Sequence, residues 1–104
     1  MMIEQLYEEI LLRKKEPKTG SYTNYLFDQG LDKILKKVGE EATEVVIAAK
    51  NDQAELVAET SDLIYHMLVL LAEKEIPLKA IEQELKSREG QLSKTEERKP
   101  IDRL

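Results

Sequence analysis

Two acidic pairs, Glu41-Ala-Thr-Glu44 and Glu59-Thr-Ser-Asp62, stand in the two most apolar stretches of a chain in which 36% of residues are charged. In a helix, an i,i+3 spacing puts both members of a pair on one face. Carboxylates flanked by Ala, Val, Ile and Leu are costly to desolvate unless positive charge meets them. Two such pairs facing each other make an all-oxygen cage, a donor set for Mg²⁺ or Mn²⁺ rather than Zn²⁺. Mg²⁺ keeps open positions for water and phosphate oxygens, so the chemistry expected of such a cage is performed on phosphate.

The elements that must position these acids are helices. Ile3, Leu6, Tyr7, Ile10 and Leu11 recur at helical spacing over residues 2–15, and Pro17 ends that run. A loop of Pro, Gly, Ser and Thr over 17–24 leads to a short helix carrying Tyr25, Leu26 and Phe27, with Thr23 as its expected cap and Gly30 near its stop. Residues 31–50 read as a long helix whose apolar side is Ile34, Leu35, Val38, Ala42, Val45, Val46 and Ala49. Lys33, Lys37, Glu41 and Glu44 follow one another on another stripe. Asp52 with Glu55 is a capping-box signal that starts a second long helix, running to about Lys74. Pro77 opens a last helix from about Leu78 to Arg88, with Leu78, Ile81 and Leu85 on one side.

The short connection at 51–52 makes the two long helices antiparallel neighbours. Glu44 then lies about eight residues before the turn and Glu59 about eight after, both roughly 12 Å from it at ~1.5 Å rise per residue. The two acidic motifs meet at one height. Glu55, Glu59, Asp62 and His66 share a stripe of the second helix, which is apolar nearly all round past residue 62. Asp62 and Glu44 are therefore expected to be withheld from bulk solvent. The fold class that follows is all-α, an antiparallel bundle of four to five helices. It forms a single domain over 1–104, with a polar tail from 91 to 104 that is loosely ordered or docks on a partner.

A single Glu on a helix is usually a solvated residue, and Glu40 or Glu55 alone reads that way. Glu44 and Asp62 could instead be satisfied by Lys33, Lys37 or an Arg in structural ion pairs. Several acids at one height with few bases favour a cation. A di-iron carboxylate site needs Glu-x-x-His on two helices, and this chain has one His, four residues after Asp62. His66 alone reads first as a packed or hydrogen-bonded residue. Gly39 either permits a close approach or is merely tolerated. Lys37, one turn before Glu41, is placed to reach a phosphate, and so are the hydroxyls and N–H groups of Ser21, Tyr22 and Thr23.

The composition excludes several classes. With no Cys there is no disulfide frame, thiolate site or Cys nucleophile. A net charge of −5 argues against nucleic acid as a partner, though not against a nucleotide, because a bound cation reverses the local sign. No apolar run spans a membrane and the N-terminal segment lacks a signal-peptide core, so a cytoplasmic protein is expected.

Lys37-Val-Gly-Glu-Glu-Ala-Thr-Glu44, Glu59-Thr-Ser-Asp-Leu-Ile-Tyr-His66, Val69-Leu-Leu, and Gly20-Ser-Tyr-Thr23 with Leu26-Phe27 resemble phosphoribosyl-ATP pyrophosphatases over roughly residues 3–90. The acidic core alone is shared with the wider MazG-like all-α pyrophosphatases, while the Ser-Tyr-Thr, Lys-Val-Gly-Glu-Glu and Tyr-His elements are more specific. The resemblance implies Mg²⁺-dependent hydrolysis of phosphoribosyl-ATP to phosphoribosyl-AMP and pyrophosphate, the second step of histidine biosynthesis, by a homodimer that completes the bundle. On that reading Glu41, Glu44, Glu59 and Asp62 are catalytic and bind the metal, with Glu40 in support. Lys37, Ser21, Tyr22, Thr23 and His66 contact the substrate. The alternatives are a MazG-like house-cleaning (d)NTP pyrophosphatase and a non-catalytic helical dimerisation module.

Overall fold

A computed structural model describes residues 2–90 as five helices, α1 (Met2–Lys15), α2 (Tyr22–Gln29), α3 (Leu31–Ala49), α4 (Gln53–Glu73) and α5 (Leu78–Ser87). There is no strand among the described residues, as the periodicity predicts. The tail expected over 91–104 lies outside the described residues.

The helix boundaries follow local chemistry. The Ser21 side chain, and not that of Thr23, caps α2 by accepting from the Asn24 N–H at 3.2 Å. Thr23 instead lies in the first turn, where its hydroxyl pairs with the Tyr65 hydroxyl on α4. The tertiary partner wins over the local cap. Gly30 ends α2 and starts α3 at φ 90° and ψ −176°, a backbone conformation open in practice only to glycine, so α2 and α3 meet without a linker. Asp52 caps α4 by accepting from the Glu55 N–H at 2.8 Å. The reciprocal half of the capping box is absent, because the Glu55 carboxylate accepts from the Asn51 side chain at 3.2 Å.

The core lies where α1, α2 and α3 meet α4. Tyr7 and Ile10 of α1, Leu26 of α2, Ile34 of α3, and Leu68, Val69 and Ala72 of α4 form one buried cluster. Two long-range hydrogen bonds fasten α1 to the end of α4: the Tyr7 hydroxyl to the Ile76 carbonyl at 2.5 Å and the Lys14 ammonium to the Ala72 carbonyl at 2.9 Å. Burial raises the Tyr7 pKa. α3 and α4 form the expected antiparallel hairpin, the most extensive helix pairing in the chain.

The apolar side expected of α3 is only partly used. Ile34 is buried, but Leu35, Ala42, Val46 and Ala49 are exposed, and Val46 is 68% accessible. Val57 and Met67 of α4 are exposed as well. α5 buries none of its residues, and Ile81 and Leu85 face solvent. The radius of gyration of 16.0 Å exceeds the ~13 Å of a compact domain of about 100 residues. A single chain thus leaves apolar helix faces uncovered. Gly39 faces open space within the chain, which is the tolerance reading of that residue.

Candidate active site

The hairpin brings the two acidic motifs together. Glu41 of α3 and Glu59 and Asp62 of α4 each offer a carboxylate oxygen, and the three oxygens lie within 4.8 Å of one another. Glu41 lies on α3 before the turn and Glu59 and Asp62 lie on α4 after it, so antiparallel packing sets Glu41 against the α4 pair. The Glu59 carboxyl is held above its ordinary value near 4.5 by partial burial, then by the charges of Asp62, Glu41 and Glu44 and by a hydrogen bond with Glu41. Carboxyls crowded at that reach favour a shared proton or a cation between them. The donor set is all oxygen and crowded with negative charge, and it therefore fits a hard divalent ion.

Other expected site residues are placed differently. Glu44 adds to the field on Glu59 but is outside the group of three, and its side chain is exposed. Asp62 is also exposed, against the expectation that apolar neighbours would withhold it from solvent. Those neighbours point elsewhere on the helix, and the acidic face of the hairpin is left open. Glu40 is exposed and lies 3.5 Å from the Lys37 ammonium, which also approaches Glu41 at 3.7 Å. Burial alone would pull the Lys37 pKa down, but Tyr22, Glu40 and Glu41 outweigh it and hold the ammonium above its ordinary value. Lys37 is thus a cation beside the acids with Tyr22 nearby.

His66 is buried at 6% accessibility and both ring nitrogens are engaged. Nδ1 lies 2.8 Å from the Asp62 carbonyl oxygen and Nε2 lies 3.0 Å from the Tyr22 hydroxyl. Tyr22 and Tyr65 enclose the imidazole edge-on, at centroid distances of 5.7 and 5.0 Å. The aromatic cluster of α2 and α4 therefore abuts the acidic turn, and His66 reaches the site through Tyr22 and the Asp62 backbone.

Spacing alone does not single out two further residues. Tyr65, whose pKa is raised by burial, ties α4 to Thr23 and stacks on Tyr22 at 6.2 Å. Its signal is its place beside His66 in a helix turn that already carries Asp62. Asn24 joins three pieces of chain. Its side chain accepts from the Lys18 N–H at 2.9 Å and donates to the Arg13 carbonyl at 2.7 Å, while its own N–H donates to Ser21. An Asn after Ser-Tyr-Thr is consistent with such a clamp, but sequence does not reveal its partners.

Comparison with known proteins matches this sequence to one family. A family model described as phosphoribosyl-ATP pyrophosphohydrolase matches residues 3–89. A protein named phosphoribosyl-ATP pyrophosphatase from Listeria monocytogenes serotype 4a is 75% identical over 99% of this chain and 100% of its own length. Proteins of the same name from Listeria innocua and Streptococcus gordonii are 71% and 61% identical, over 99% and 97% of this chain and 100% and 98% of theirs.

Proposed function

Because this chain belongs to the phosphoribosyl-ATP pyrophosphohydrolase family, we propose that it hydrolyses phosphoribosyl-ATP to phosphoribosyl-AMP and pyrophosphate, the second step of histidine biosynthesis. The observation that carries the reading is the convergence of Glu41, Glu59 and Asp62, whose oxygens lie within 4.8 Å. Relatives that bear the name of this activity are matched over essentially their whole length.

Glu41, Glu59 and Asp62 would hold Mg²⁺, or Mn²⁺ in its place, with Glu44 and Glu40 extending the acidic face. When bound, the ion supplies charge neutralisation for the triphosphate and lowers the pKa of a water. A carboxylate of the cluster that is not fully used by the ion takes the proton from the attacking water. Lys37 and the backbone N–H groups of the Ser21-Tyr22-Thr23 segment contact phosphate oxygens as the substrate docks. The Lys37 ammonium, already drawn to Glu40 and Glu41, exchanges an acidic partner for the phosphate as negative charge accumulates there. His66 orients Tyr22 from behind.

The enzyme acts as a homodimer in the cytoplasm. The exposed Leu35, Val46, Val57 and Met67 support the dimer, since apolar helix faces of this kind are ordinarily covered. No helix among the described residues is long and apolar enough to cross a membrane.

Pyrophosphate release from phosphoribosyl-ATP, set against a panel of dNTPs, tests the assignment. Clear preference for phosphoribosyl-ATP is expected. Preference for a dNTP would move the reading to a house-cleaning nucleotide pyrophosphatase, and no release from any of them would leave a dimerisation module.

A further inference from the structure

A cleft opens beside Tyr65. It has a volume of about 470 Å³ and runs between the C-terminal half of α1 and the loop that precedes α2. Arg13 and Lys18 stand in its lining with Gly20 and Ser21, and Thr23 and Tyr65 join them. Leu6, Ile10 and Leu12 supply an apolar wall. One acid, Glu9, shares the lining, so the charged groups sum to one net positive charge. Among the described residues neither Arg13 nor Lys18 is held in an ion pair.

Asn24 builds this cleft. By bonding the Arg13 carbonyl and the Lys18 N–H with one side chain, it fixes the end of α1 and the loop at a set separation. Two cations are thereby carried on a braced frame, with Ser21 and Gly20 in the same lining. That combination suits a phosphomonoester, which takes charge-assisted hydrogen bonds from Arg and Lys and further ones from hydroxyls and backbone N–H groups.

The cleft and the acidic cluster share a border. Tyr65 lines the cleft and is three residues from Asp62 on α4, about 4.5 Å along the helix axis. Tyr22 stacks on Tyr65 and neighbours Lys37 on the acidic side. Phosphoribosyl-ATP carries phosphate at two ends, a triphosphate on one ribose and a single phosphate on the other. A triphosphate drawn to the cation site leaves the second phosphate needing its own positive partner. We propose that the Arg13–Lys18 cleft is a subsite for a sugar phosphomonoester and receives the 5′-phosphate of the phosphoribosyl arm, which makes Arg13 and Lys18 determinants of specificity. This rests on the substrate named above. A free nucleoside triphosphate carries no phosphomonoester to place in the cleft and forgoes the charge-assisted contacts with Arg13 and Lys18.

The test uses ribose 5-phosphate and ATP as separate inhibitors of pyrophosphate release by the full chain, in wild type, Arg13→Gln, Lys18→Gln and the double variant. The double variant should raise KM for phosphoribosyl-ATP about tenfold or more, the loss expected for one or two charge-assisted contacts, with kcat nearly unchanged. Inhibition by ribose 5-phosphate should weaken by about as much, and inhibition by ATP should stay as in wild type. A KM that does not move, or ATP inhibition that weakens in step with that of ribose 5-phosphate, overturns the proposal. If the double variant fails to fold, the single variants carry the same comparison. Binding is also read without turnover, from the amide resonances of Gly20, Ser21 and Thr23 in the wild-type chain as ribose 5-phosphate is added. Shifts there without hydrolysis of phosphoribosyl-ATP would sink the proposed reaction and keep the cleft. Hydrolysis without those shifts would sink the cleft alone.

Discussion

The Tyr22 hydroxyl lies 3.0 Å from Nε2 of His66, a buried ring whose Nδ1 lies 2.8 Å from the Asp62 carbonyl. A carbonyl only accepts, so Nδ1 carries the proton; in that tautomer Nε2 accepts and Tyr22 donates. The direction of the phenol O–H is thus set by the backbone of an acidic residue two hydrogen bonds away, and the oxygen lone pairs are left for Lys37. Tyr22→Phe leaves a buried nitrogen without its donor and should cost about 1–3 kcal/mol. His66→Ala also opens a cavity and should cost about 2–5 kcal/mol. Urea denaturation measures both. Turnover should fall in each variant, and a folded His66→Ala protein with wild-type activity would show that the imidazole only packs.

Glu59 links the site to pH. Its folded pKa is raised above the ordinary 4.5, so folding favours the protonated carboxyl. That contribution is fully present below the ordinary value and is lost as pH rises through the raised one. The metal-free wild type should therefore lose stability relative to Glu59→Gln as pH climbs from the ordinary carboxylate range towards neutrality. Mg²⁺ should restore it, with a larger rise in Tm at higher pH, because the ion replaces the proton held there. Melting curves of both proteins across that range, with and without Mg²⁺, test the point. An equal Mg²⁺ response in Glu59→Gln would remove Glu59 from the ion's ligands.

The uncovered helix faces give a prediction about assembly. Val46 and Val57 are 68% and 60% accessible in one chain and lie on opposite sides of the α3–α4 turn. Sedimentation equilibrium should return twice the 12.0 kDa chain mass for wild type. Val46→Glu with Val57→Glu should shift the protein to monomer, since like charge on a desolvated face opposes association. A dimer that survives both changes must use another surface.

The helices, their order and the hairpin register are legible in the sequence because caps, prolines and 3.6-residue periodicity are local signals. Antiparallel pairing then follows from a short connection, three residues in the structure, and it is enough to bring Glu41 to Glu59 and Asp62. Burial is less legible. The apolar run of α3 reads as core, yet a single chain covers only part of it. The exposure of Glu44 and Asp62 follows from the same open face. Local propensity also gives the wrong cap for α2, because Thr23 bonds Tyr65, a residue distant in sequence. The Asn24 clamp and the cleft it braces depend on three segments meeting in space, and no spacing rule encodes them.

Glu41, Glu59 and Asp62 are proposed as a cation-dependent centre for pyrophosphate release. Its most direct test is the initial rate on phosphoribosyl-ATP for wild type and Glu41→Gln, each with Mg²⁺ and with a chelator. Wild type should release pyrophosphate only with Mg²⁺, and Glu41→Gln should be slower by about a hundredfold or more while still folding. Release that persists in the chelator, or a Glu41→Gln rate equal to wild type, would contradict the claim.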